Sequence, residues 1–194
     1  MNYFGKIAMV FFLVFIVNGC SQQEIPNAVN WKVEDFTFTD QNEQKVSKGD
    51  LEGKVWIADF IFTNCNTVCL PMTSNMKKLQ NMITEEGLED VHFVSFSIDP
   101  EVDNPSILKK YGESFQANFD NWSFLTGYDQ ETIESLAKDS FKVLVQKPAE
   151  GDQVIHGTSF SLVDQEGTVV QQYSGVEDIP FEDIIKHIKI LQSN

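Results

Sequence analysis

The stretch KVWIADFIF, residues 54–62, does most to limit what this chain can fold into. After Lys54 it is apolar at every position except Asp59, and it is rich in β-branched and aromatic side chains. A strand with one wet face alternates polar and apolar residues. A nearly continuous apolar run belongs instead to a strand buried on both faces, as in a sheet covered above and below by helices.

The rest of the chain fits that picture. PMTSNMKKLQNMITEEG repeats apolar residues at 72, 76, 79 and 82/83. This spacing predicts a helix with Pro71 in its first turn and Gly87 as its stop. VHFVSFSI (91–98) reads as a second core strand, followed by a helix that starts at Pro105 under a cap from Asp103 or Asn104. WSFLTG (122–127) is a short strand and DQETIESLAKDSF (129–141) another helix. Two hairpins are expected, one from FTFTD (36–40) and QKVS (44–47), the other from QVIHGTSFSLVD and TVVQQYS around a QEG turn. PFEDIIKHIKIL (180–191) closes the chain as an amphipathic helix. Strand–helix alternation makes an α/β sheet with helices on both faces. At 194 residues, one domain accounts for it.

Charge and the N-terminus narrow the surroundings. Lys and Arg total 14 against 29 Asp and Glu, a net charge of −15, which disfavours nucleic acid and anionic lipid alike. Membrane residence therefore needs an explicit anchor. Lys6 precedes the apolar run IAMVFFLVFIV (7–17), too short to span a bilayer comfortably but right for a signal peptide over residues 1–19. Gly19-Cys20 resembles the lipobox of bacterial lipoproteins, which implies lipidation of Cys20 and a tether over residues 20–30 before a domain at 31–194. The chain is then expected on the extracytoplasmic face of the cell membrane.

With Cys20 lipidated, one pair of cysteines is left, Cys65 and Cys69, in a compartment that permits disulfides. The pair stands between a buried strand and a helix N-terminus, whose partial positive charge favours thiolate. The pair can cycle between dithiol and disulfide, or two thiolates can hold a soft metal with a third donor. Three histidines are available as that donor. His92 at the edge of a strand and His187 on the last helix read as structural residues. His156, beside Gly157 in VIHGTSF, is the remaining candidate.

TNCNTVCLPM, SIDPEVDNP, WSFLTG and HGTSFSLVDQEG, in this order, resemble the signature blocks of the Sco (SenC/PrrC) family of copper-binding assembly proteins. The resemblance runs from about Phe36 to the end of the chain. It implies a thioredoxin-like fold and a membrane-tethered domain that helps assemble the CuA centre of cytochrome c oxidase, in subunit II. It places the copper ligands on Cys65, Cys69 and His156, with the two cysteines also the redox-active pair. The sequence departs from the family in having Asn66 and Leu70 after the two cysteines, Ile155 before the histidine, and Val102 where arginine is common. Two thiolates and an imidazole suit Cu(I), and Cu(II) with an added oxygen ligand. Zinc accepts the same donors, so the choice of copper rests on the resemblance.

Three acids are further candidates for a part in such a site. Asp99 is a candidate to orient the metal or supply an oxygen, whereas Asp103 is expected to cap a helix. Asp59 matches the offset of a buried aspartate in thioredoxins, a proton acceptor for a nearby thiol. Met72 and Met76 read as core. The rival function is a thiol–disulfide oxidoreductase that keeps the CuA cysteines reduced, with Cys65 and Cys69 needed and His156 not. A peroxide-reducing enzyme on the same fold would need an arginine or threonine near its cysteine; Thr63 is present, but the chain has no arginine, which weighs against this option.

Overall fold

A computed structural model of the chain describes residues 24–65, 67–148 and 153–193. The expected signal peptide and Cys20 lie outside these residues. The order begins with β1 (Trp31–Lys32), β2 (Thr37–Thr39), β3 (Lys45–Ser47), a 3-10 turn (Lys48–Leu51) and β4 (Val55–Ile61). It continues with α1 (Cys69–Glu85), β5 (Val91–Ser97), α2 (Pro105–Ser114), β6 (Trp122–Leu125) and α3 (Gln130–Phe141). Then come β7 (Val145–Gln146), β8 (Ile155–His156), β9 (Ser159–Val163), β10 (Thr168–Ser174) and α4 (Phe181–Gln192).

Six strands form one sheet in the order β1-β10-β9-β4-β5-β6, while β2–β3 and β7–β8 are separate antiparallel pairs. β4 is parallel to β5, and β5 to β6, so each step needs a crossover, supplied by α1 and α2. On its other side β4 pairs antiparallel with β9. Every residue of β4 is buried, as a strand with neighbours on both edges and helices on both faces requires.

Register sorts the side chains. Phe60 lies beside Phe96 and packs with it against Phe141 of α3, at ring separations of 5.3–5.8 Å. Phe36 joins this face through Trp56 and Phe96. Asp59, beside Ser95, points to the opposite face, where its charge bears on Cys69 of α1 and Tyr111 of α2. There Thr73 and Tyr111 join α1 to α2 by a 2.7 Å hydroxyl pair, and Lys189 of α4 meets Glu86 at the end of α1. The result is a thioredoxin-like α/β fold with two hairpin additions.

Helix α1 begins at Cys69 with Pro71 in its first turn, as the spacing predicts, because the first-turn N–H groups have no intrahelical acceptor and a proline there loses nothing. Two details differ from the sequence expectations. Asn104, not Asp103, caps α2, accepting from the Ile107 N–H at 3.1 Å. The late hairpin starts only at Ser159, so His156 belongs to β8, which pairs with β7 outside the main sheet.

Candidate metal centre

The chain leaves β4 at its C-terminal end and turns before entering α1. The Cys65 N–H closes this turn on the Phe62 carbonyl at 3.2 Å. Cys69 is the first residue of α1, and its N–H donates to the Cys65 sulfur at 3.3 Å. The Thr67 hydroxyl lies 3.7 Å from the same sulfur. Burial opposes a charged Cys65, but the contacts from Cys69 and Thr67 outweigh it and hold this thiol below its ordinary pKa. Cys69 goes the other way. Burial pushes its thiol far up, and the neighbouring Cys65 and Asp59 add to the effect. Both cysteines are free thiols.

His156 approaches from β8. Its Nδ1 lies 2.8 Å from the Gly157 carbonyl, an acceptor only, so Nδ1 carries the ring proton. Nε2 is left with its lone pair, 3.4 Å from the Cys69 sulfur. Phe62 packs edge-on to the ring at 5.9 Å. Burial lowers the imidazole pKa, and the Gly157 bond only partly opposes this. Glycine at 157 lets the strand come close, since a Cβ there would stand 3.0 Å from a Val143 methyl. The ligand atoms of Cys65, Cys69 and His156 all lie within 4.8 Å of one another. Two sulfurs and one neutral imidazole nitrogen facing a common point form a soft, three-donor set.

The acids stand apart from this set. Asp99 is buried and takes a 2.7 Å ion pair from Lys147, which also reaches Glu101 at 2.8 Å. Asp103 is fully buried, accepting from the Thr63 N–H and hydroxyl and from the Ser97 hydroxyl. Asp59 is fully buried too, and neither carboxyl oxygen has a hydrogen-bond partner among the described residues. Burial raises its pKa to about 7; the adjacent Ser95 hydroxyl pulls the other way without forming a bond to it. Met72 and Met76 are core residues. His187 is buried and bonded to the Tyr173 hydroxyl at 2.7 Å, and His92 is half-buried in β5. Lys147 and Thr63 were not singled out from sequence as supports of the site. Their partners lie 48 and 40 positions away, and nothing local marks them.

Known proteins are similar to this chain in sequence and fold. The SCO1 protein homolog of Bacillus subtilis is 49% identical over 178 residues, covering 91% of this chain and 92% of its own. A crystal structure of a SCO1/SenC family lipoprotein from Bacillus anthracis superposes with a TM-score of 0.83 at 52% identity, over 87% of this chain and 99% of that one. The structure of Bradyrhizobium japonicum ScoI with copper bound gives a TM-score of 0.68 at 25% identity, over 82% and 99%. A family model described as SCO1/SenC matches residues 26–192, from the end of the N-terminal segment through the last helix. With sequence, fold and family pattern agreeing over nearly the whole described chain, this protein belongs to the SCO1/SenC family.

Proposed function

We propose that this chain is an extracytoplasmic copper carrier that serves assembly of the CuA centre in subunit II of cytochrome c oxidase. The observation that carries the reading is the convergence of Cys65, Cys69 and His156 within 4.8 Å. The copper-bound state of a relative with the same fold supports copper over zinc. In this reading copper is cargo. Cys65 and Cys69 supply two sulfurs and His156 supplies Nε2, whose lone pair is free because burial keeps the ring neutral and the Gly157 carbonyl holds the one proton on Nδ1. Cys65 is the first sulfur to be available as thiolate, and Cys69 loses its proton only as the metal compensates the buried charge. The pair has to be reduced for this, so loading is coupled to redox state.

The segment before the described domain completes the proposal. Cleavage after Gly19, acylation of Cys20 and a tether over residues 20–30 would anchor the domain of residues 31–194 at the membrane while leaving it free to reach a membrane-embedded recipient. The lipoprotein description of the Bacillus anthracis relative supports this.

A second reading, thiol–disulfide exchange with the recipient's cysteines, is favoured by one observation. Cys65 is held below the ordinary thiol pKa while Cys69 is pushed above it, the asymmetry of an attacking and a resolving thiol. Titration of the reduced soluble domain with Cu(II), followed by visible absorption, separates the two. A tight 1:1 complex with a thiolate-to-copper band, weakened by both His156→Ala and Cys65→Ser, establishes the carrier. If copper merely oxidises the thiols, or His156→Ala binds as well as wild type, exchange becomes the better reading.

A further inference from the structure

The turn after β5 touches both halves of the candidate centre. The Asp99 carbonyl accepts the N–H groups of Val102 and Asp103, at 3.0 and 2.9 Å, which fixes two acids in one tight turn. The Asp103 carboxylate holds Thr63, two residues before Cys65. The Asp99 carboxylate, its side chain only 5% exposed, holds the Lys147 ammonium at 2.7 Å. Lys147 directly follows β7. Among the described residues β7 is the strand paired with β8, and its Val145 stands opposite His156. The Lys147 backbone is fixed as well, its N–H donating to Glu134 of α3 at 3.1 Å.

A two-residue ribbon is too short to hold its own position. The buried Asp99 carboxylate has strong reason to keep its cation, since removing one partner leaves an uncompensated buried charge. The exposed Glu101 adds little. We infer that Lys147 is a positioning residue for metal capture: its ion pair with Asp99 sets the imidazole of His156 against the two cysteines, and Asp99 serves the centre through this lysine and not as a ligand. The inference rests on the metal-holding reading above.

The test uses the reduced full-length chain in detergent, with Lys147→Met, Lys147→Arg, Asp99→Asn, His156→Ala and the double variant His156→Ala/Lys147→Met. In the metal-free protein, amide hydrogen exchange at residues 145–146 and 155–156 is expected to speed up in Lys147→Met and to stay near wild type in Lys147→Arg. Cu(II) affinity is expected to fall about tenfold or more in Lys147→Met, the usual cost of losing a residue that orients a ligand, and to recover in Lys147→Arg. In the absence of His156 the lysine has nothing to position, so the double variant should bind copper as His156→Ala does. A general structural role would weaken both backgrounds equally, and would overturn the inference, as would wild-type affinity in Lys147→Met. A direct oxygen ligand at Asp99 would reveal itself as a loss in Asp99→Asn that persists without His156, and this too would overturn it. A wild-type chain that binds no copper would defeat the proposed function, and this inference with it.

Discussion

The Nε2 of His156 faces the Cys69 sulfur at 3.4 Å, although 87 positions separate the two residues in the chain. The ring arrives with its tautomer already chosen, because Nδ1 donates to the Gly157 carbonyl. On the proposed metal-holding reading, a metal approaching the sulfurs would meet an imidazole that needs neither to rotate nor to lose a proton.

If His156 is a ligand as proposed, protonation of that imidazole competes with metal, and its pKa sets the acid limit of binding. Burial lowers the pKa, with the Gly157 bond pulling back only in part. The His156 ring should titrate below the ordinary 6.5 of a free histidine in the metal-free protein. An NMR titration of the ring protons measures this directly. A midpoint at or above 6.5 would contradict the geometry.

The two thiols should differ in reactivity. Alkylation rate follows the thiolate fraction and rises with pH. Cys65 should be alkylated first by iodoacetamide, with a midpoint below the ordinary thiol value of 9.0. Cys69, fully buried and with its pKa raised, should stay unmodified through that range. Peptide mapping of the labelled protein at a series of pH values reads both residues at once. Equal labelling of the two cysteines would be the wrong outcome.

Asp59 should make stability fall as pH rises. Its carboxyl holds its proton up to about 7 in the folded protein and only to about 3.8 in the unfolded chain. Between these values the native state binds more protons, so unfolding free energy declines with pH until about 7 and is then level. Asp59→Asn removes this dependence. It should stabilise the reduced protein by up to about 4 kcal/mol at pH 8, with the gain vanishing near pH 4. Urea denaturation at the two pH values checks it.

Asp103 and Thr63 should differ in cost. Asp103→Ala strands the Thr63 N–H and hydroxyl together with the Ser97 hydroxyl, and should destabilise by about 3 kcal/mol. Thr63→Val keeps the backbone bond and loses only the hydroxyl, for about 1 kcal/mol. The same denaturation measurement ranks the two. Equal losses would mean that the carboxylate does not grip the turn.

Much of this was legible in the chain because burial on both faces leaves a plain mark. The runs at 55–61 and 91–97 are strands since nothing polar can sit there, and the helices announce themselves by apolar spacing. What was hidden depends on long-range pairing. The pattern QVIH reads as the start of the late hairpin, yet residues 155–156 pair with 145–146 instead, and Lys147 ties that pair to α3 and the Asp99 turn. Asp103 looked like a helix cap because caps and buried acceptors use the same residue type; only the fold brings Thr63 and Ser97 to it. The placement of His156 against the cysteines came from resemblance to a family, since no local signal spans that distance.

The donors also differ in how firmly they are rooted. The cysteines follow the most enclosed strand of the sheet, whereas the histidine rides on a ribbon of two residues outside it. Local opening follows such differences, with short peripheral pairings giving way well before central strands. On the carrier reading proposed above, the imidazole would be the donor to swing off while both sulfurs keep their places. Grip on a cargo ion would then come in two grades, a closed three-point hold and an open two-point one, and the open one is where another protein's ligands would take over.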